Sequence, residues 1–163
     1  MYRVAVVTAS DKGARGERTD ESSIVIKEML AGIDFNVVAY KIIPDDLDTI
    51  SQTLMGLADH GGVDIVLTTG GTGFSPRDNT PEATLAVVER TVPGIPEAMR
   101  LESLKKTSRA MLSRAVAGIR KKTLIINMPG SPKAVRECLE VIIPVLPHAM
   151  EILTGRGGEC GSI

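Results

Sequence analysis

The chain has 163 residues, a formal charge of −1, 43% apolar residues and only 2% aromatic residues, with no Trp. That length suits one well-buried core and is short for two, so residues 1–163 are expected to form a single domain. The interspersed charges argue against a general nucleic-acid surface or an anionic-membrane partner, and no apolar stretch is long enough to span a bilayer. A core of Val, Ile, Leu, Ala and Met suits a parallel sheet covered by helices.

In chain order, strands and helices alternate, which is the pattern of βαβ units. The apolar run Tyr2 to Thr8 predicts a first strand, too short to be a signal segment. A polar loop from Ser10 to Thr19 follows, in which Asp11, Lys12, Arg15 and Arg18 read as solvated surface. Asp20-Glu21-Ser22-Ser23 opens a helix that Gly32 closes. Asn36 to Ile43 is a strand, and Pro44-Asp45-Asp46 leads into a helix from Leu47 to about His60; either aspartate could cap it.

The central strand, Val63 to Thr68, runs into Thr68-Thr69-Gly70-Gly71-Thr72-Gly73 and then Arg77-Asp78. An isolated Gly-Gly after a strand is more often only a turn. Here the run carries more: glycines at the end of a buried strand let backbone N–H groups approach phosphate oxygens, and Thr68, Thr69 and Thr72 add hydroxyls. Arg77 has the fork for a phosphate, and Asp78 can hold a divalent cation or orient a nucleophile. Thr80 reads as an N-cap with Pro81 at the first helical position, aiming a helix's positive end at the same crevice. Neither a P-loop G-x-x-x-x-G-K-[S/T] nor a G-x-G-x-x-G after the first strand is present.

Val92-Pro93-Gly94-Ile95-Pro96 breaks the chain, and Glu97 begins a helix toward Lys106. The pattern from Thr107 to Arg120 selects neither helix nor strand. Thr123 to Asn127 is a strand, and Gly130-Ser131-Pro132-Lys133 turns into a helix to about Thr154, kinked or split at Pro144 and Pro147. Ser131 caps it, and Lys133 brings charge to a second anion subsite. Residues 155–163 read as a mobile tail. His60 and His148 have no ligand-spaced partner, and Cys138 and Cys160 follow no metal pattern, which predicts a reduced, cytoplasmic setting.

The loop from Thr68 to Thr84, Pro93-Gly94-Ile95-Pro96-Glu97-Ala98-Met99-Arg100, Leu112-Ser113-Arg114 and Asn127 to Lys133 together resemble the MogA/MoaB family of molybdenum cofactor biosynthesis, over nearly the whole chain. The resemblance implies a three-layer α/β/α sandwich with a mainly parallel sheet. It also implies adenylylation of molybdopterin by ATP with Mg²⁺, releasing pyrophosphate. By motif, the essential acidic, metal-holding positions fall at Asp45 and Asp78, with Thr69, Gly70, Gly71, Thr72, Gly73, Arg77, Ser113, Gly130, Ser131 and Lys133 as binding positions. A homotrimer or homohexamer is expected, with the molybdenum-inserting enzyme of the pathway as a partner. The alternative is a protein that binds or delivers molybdopterin without modifying it. Relatives commonly have a glycine where this chain has Ser23, which implies a changed geometry there.

Overall fold

The structure, a computed structural model, describes residues 1–155. Its strands are β1 (Tyr2–Ala9), β2 (Phe35–Ile43), β3 (Ile65–Thr69), β4 (Arg90–Thr91), β5 (Ala117–Arg120) and β6 (Thr123–Met128). Its helices are α1 (Asp11–Ala14), α2 (Glu21–Leu30), α3 (Leu47–His60), α4 (Thr80–Val87), α5 (Gly94–Leu104), α6 (Pro132–Ile142) and α7 (Leu146–Thr154), with a 3₁₀ turn at Ser108–Leu112.

The strands form one sheet in the order β2-β1-β3-β6-β5-β4. β2, β1, β3 and β6 run parallel, and β5 and β4 close one edge antiparallel. Alternation along the strands builds two cores. Val4, Val6, Ile65, Leu67 and Ile126 pack toward α2, α6 and α7, burying Ile26, Leu139 and Met150. Ala5, Val7, Val66 and Ile125 face α3 and α4, burying Ile50, Leu54 and Ala83. Helices on both faces explain why β1, β3 and β6 are near-continuous apolar runs, and the expected three-layer, mainly parallel architecture is the one observed.

From β1 the chain moves outward to β2, then returns past β1 to β3. The crevice at the carboxyl ends of β1 and β3 is therefore the sheet's topological switch point, where open α/β sheets take their ligands.

Several local expectations shift. β3 runs Ile65–Thr69, starting and ending later than the expected Val63 to Thr68, with Asp64 N–H bonded to Arg3 O at 2.8 Å just before it. Asn79, not Thr80, holds the N-cap position of α4, without a side-chain cap bond, so Pro81 comes second in the helix. Pro96 opens a helix instead of breaking the chain: α5 starts at Gly94, and a proline in the first turn lacks only an N–H that had no intrahelical partner. Pro144 does split the last helix, with Pro147 in the first turn of α7. Ser23 sits in the first turn of α2, donating its N–H to Asp20 Oδ1 and its hydroxyl to Asp20 O, so no glycine conformation is needed there. Cys160 and the expected tail beyond Gly155 lie outside the described residues.

Candidate functional site

The site is assembled from loops that leave the carboxyl ends of β1, β2, β3 and β6. They enclose a cavity of about 740 Å³ whose walls include Thr8, Ser10, Asp20, Asp45, Thr69, Gly70, Gly71, Asp78, Gly130 and Ser131.

The loop after β3 folds as it does because of its glycines. Gly70 and Gly71 have φ of +82° and +68°, in the region that side chains disfavour. A Cβ on Gly70 would lie 2.5 Å from Ala9 O, and one on Gly71 would lie 2.3 Å from Thr80 Oγ1 and 3.4 Å from Asp45 Oδ1. A Cβ on Gly73 would meet Asp78 Oδ2 at 2.9 Å. Both carboxylates thus rest against the glycine backbone. The Thr80 N–H, at the start of α4, donates to Gly71 O at 3.1 Å, so this helix end is tied to the loop.

Asp46 resolves which aspartate caps α3: its Oδ2 accepts from Thr49 N–H at 2.9 Å and from Thr49 Oγ1 at 2.7 Å. Asp45 is left to the crevice. Burial pushes the Asp45 carboxyl up; a hydrogen bond from the Asp11 N–H opposes this, and the negative charges of Asp11 and Asp78 add to the upward push. Asp78 is held within its own turn, Oδ2 accepting from Ser75 N–H at 2.9 Å.

Arg77 does not extend freely toward the cavity. Its fork is taken by Asp11, Nε to Oδ2 at 3.0 Å and Nη2 to Oδ1 at 2.9 Å. The guanidinium holds the Asp11 carboxyl below its ordinary range. The first loop, read as solvated surface, therefore contributes Asp11 to the site, and Arg18 lines the cavity. The position of both after β1, at the ligand-bearing sheet edge, was the available signal.

On the β1 side, Thr69 Oγ1 donates to Thr8 Oγ1 at 3.2 Å, Thr8 Oγ1 donates to Asp20 Oδ2, and Tyr40 Oη donates to the same oxygen at 2.7 Å. Burial raises the Asp20 carboxyl, but the bonds from Thr8, Tyr40 and Ser23 outweigh it and leave it below its usual range. Thr68 turns away from the site: with Thr84 it accepts the buried amide of Asn127, whose own oxygen accepts from Val116 N–H. Asn127 thus ties β3, α4 and the approach to β5 together, and is structural.

Thr72, Gly73 and Ser113 do not line this cavity. They line a second one of about 300 Å³, walled by Pro96, Met99, Leu112, Pro129 and Cys138. Burial pushes the Cys138 thiol up. Arg114 stands between the two cavities: its N–H donates to Thr72 O, Nε to Gly73 O and Nη2 to Asp78 O, and Nη1 pairs with Glu82. No sequence signal beyond its place next to Ser113 marked this role. Lys133 is exposed in the first turn of α6 and lines neither cavity, whereas Ser131 caps α6 through Ala134 N–H at 3.2 Å.

The fold and site define a doubly wound α/β domain with a polar crevice and an apolar pocket on either side of one glycine loop. A family model described as a probable molybdopterin binding domain matches residues 5–148, and the chain belongs to that family. A molybdopterin adenylyltransferase of Helicobacter pylori strain J99 is 44% identical over 154 residues, 93% of this chain and 88% of the relative. The Escherichia coli K12 protein of the same name is 43% identical over 141 residues, 85% and 72% of the two chains. Among solved structures, the molybdopterin biosynthesis enzyme MoaB from Thermus thermophilus superposes with a TM-score of 0.91 at 54% identity, covering 95% of this chain and 98% of that one. Among the described residues, no helix is long and apolar enough to cross a membrane.

Proposed function

We propose that this chain is a molybdopterin adenylyltransferase of molybdenum cofactor biosynthesis. A phosphate oxygen of molybdopterin attacks the α-phosphorus of ATP, a P–O–P bond forms, the bond to the β-phosphate breaks, and pyrophosphate leaves. The observation that carries the reading is the glycine loop with Asp45 and Asp78 against it, set between a polar crevice and an apolar pocket. Relatives 38–44% identical over most of the chain bear the adenylyltransferase name.

In this reading the backbone N–H groups of Gly70 and Gly71 bind nucleotide phosphates from the crevice side, with Thr69, Gly130 and Ser131 completing that wall, while Gly73 lies on the pocket side of the same loop. The apolar pocket, with Thr72 and Ser113 as polar contacts, takes the flat pterin. Arg77, its fork taken by Asp11, serves the site by fastening the loop that carries Asp78. Lys133 supplies longer-range positive charge from α6.

The donor set suits Mg²⁺. Among the described residues there is no group of three or more His, Cys, Asp or Glu able to cage an ion. Mg²⁺ needs no such cage: it keeps several waters and is bound through one or two carboxylates and substrate phosphates. Asp45, pushed up partly by the charge of Asp78, lies where a cation would relieve like-charge repulsion, so Asp45 and Asp78 would hold it. When bound, the ion neutralises phosphate charge and eases pyrophosphate departure.

A homotrimer or homohexamer goes with this reading, since Leu101, Met111 and Leu112 are 63%, 64% and 47% exposed on neighbouring elements. So does a cytoplasmic setting, where ATP is available and the free, buried thiol of Cys138 stays reduced. The test is incubation of purified protein with molybdopterin, ATP and Mg²⁺, followed by chromatography for adenylyl-molybdopterin and pyrophosphate. Tight molybdopterin binding without product would leave the binding-and-delivery function instead.

A further inference from the structure

Asp11 joins the loops after β1, β2 and β3. Ser10 N–H bonds Ile43 O at 2.8 Å, carrying the β1–β2 pairing one residue past the strand and setting Asp11 opposite Asp45. Asp11 and Asp45 then exchange two hydrogen bonds. The Asp11 N–H donates to Asp45 Oδ2 at 2.9 Å, and the Asp45 N–H donates to Asp11 Oδ1 at 3.0 Å. The outer side of the Asp11 carboxylate takes the Arg77 fork. The Asp11 side chain is 28% exposed and that of Arg77 is 60% exposed, so the carboxylate lies inside and the guanidinium covers it.

We infer that Asp11 is a positioning residue for adenylyl transfer: it holds the Asp45 carboxylate in the crevice and, through Arg77, fastens the loop after β3 to the same point. An ordinary exposed ion pair contributes little and engages no third group. This one uses the backbone of the very residue whose carboxylate faces the glycine loop. Two acidic side chains so close repel unless N–H donors and a cation intervene, and here each of those is present. The inference rests on the adenylyltransferase reading for its chemical consequence, but not for its geometry.

The test combines steady-state adenylyl transfer with amide hydrogen exchange on the substrate-free full chain, using Asp11→Ala and Asp11→Asn, each checked for folding by circular dichroism. Asp11→Ala removes the acceptor of the Asp45 N–H. Its kcat is expected to fall on the order of 10- to 100-fold, as for other supports of a reactive group, while KM for ATP changes by no more than about twofold, the mark of a transition-state effect. Asp11→Asn still offers an oxygen to that N–H and recovers most of kcat. Exchange at the Asp45 amide quickens in Asp11→Ala and stays near wild type in Asp11→Asn.

Unchanged kcat in Asp11→Ala overturns the inference. So does a lower KM for ATP, which would mean that Asp11 merely masks Arg77 from phosphate. Equal loss in both variants, with the Asp45 amide unmoved, also overturns it. If wild type forms no product, the adenylyltransferase reading fails on its own, and Asp45 exchange still decides whether Asp11 positions that residue. Should the alanine variant not fold, Arg77→Gln, which removes only the outer clasp, tests the other half of the inference by exchange: amides from Ser75 to Asn79 are expected to quicken while the Asp45 amide stays near wild type, and unchanged exchange in that loop overturns it.

Discussion

Asp45 is free for chemistry because Asp46 does the capping, a division of labour that the dipeptide alone leaves open. With Asp45 and Asp78 both against the glycine loop, Asp45→Asn and Asp78→Asn are expected to lower adenylyl transfer on the order of 100-fold, the scale of electrostatic contacts to a transition state. Molybdopterin affinity, measured by calorimetry, should change little, since neither residue lines the apolar pocket. Comparable turnover at saturating Mg²⁺ would remove both from the mechanism. Gly71→Ala combines a positive φ, costing about 1–2 kcal/mol for an L-residue, with a Cβ 2.3 Å from Thr80 Oγ1. Weaker ATP binding and a lower melting temperature in a folded variant are expected. Wild-type ATP affinity would end the backbone-nest reading.

At the scale of elements, the loop after β3 is held from outside by Arg114, which reaches both Gly73 O and Asp78 O. Arg114→Ala should speed amide exchange from Gly73 to Asn79 while leaving β1 and β6 protected. Uniform exchange across the protein would show instead that Arg114 supports the whole fold. Helices with full amphipathic patterns, such as α3, and apolar strands between turn residues were legible in the sequence to within a few residues. β4 and β5 were not. β4 has two residues, and β5 is a strand only because it lies antiparallel to β6, a long-range pairing that local pattern does not encode. The departures at Pro81 and Pro96 share another cause: proline is tolerated throughout the first helical turn, so it marks a helix start without specifying which residue comes first.

For the whole molecule, two outcomes are expected. Light scattering after size-exclusion chromatography should give a closed assembly, most simply a trimer. Leu101→Glu with Met111→Glu should shift it toward monomer; a wild-type monomer at micromolar concentration would refute the interface. The second concerns acid. Asp59, bridging α3 to the end of β5 through Arg120 and Lys121, has its carboxyl held down to about 2 from 3.8, first by the Arg120 hydrogen bond. A depressed carboxyl stabilises the fold fully above its unfolded value and loses that contribution as pH falls through the folded one. The melting-temperature gap between wild type and Asp59→Asn should therefore be constant near neutrality and close between 3.8 and about 2. A gap unchanged across that window would show that the bridge is not the cause.

The sequence by itself determined the layered α/β class, the tight glycine loop at the end of a buried strand, and Asp45 and Asp78 as candidate acidic positions, because these rest on local period, glycine chemistry and motifs of fixed order. Tertiary structure alone decided which groups meet. It brought Asp11 across from Asp45, turned Arg77 onto Asp11, and sent Ser113 to the second cavity while Arg114 clasped the loop between. These contacts join residues 34 to 66 positions apart in different loops. They are set by strand order and by where each strand ends, and neither is written in the spacing along the chain.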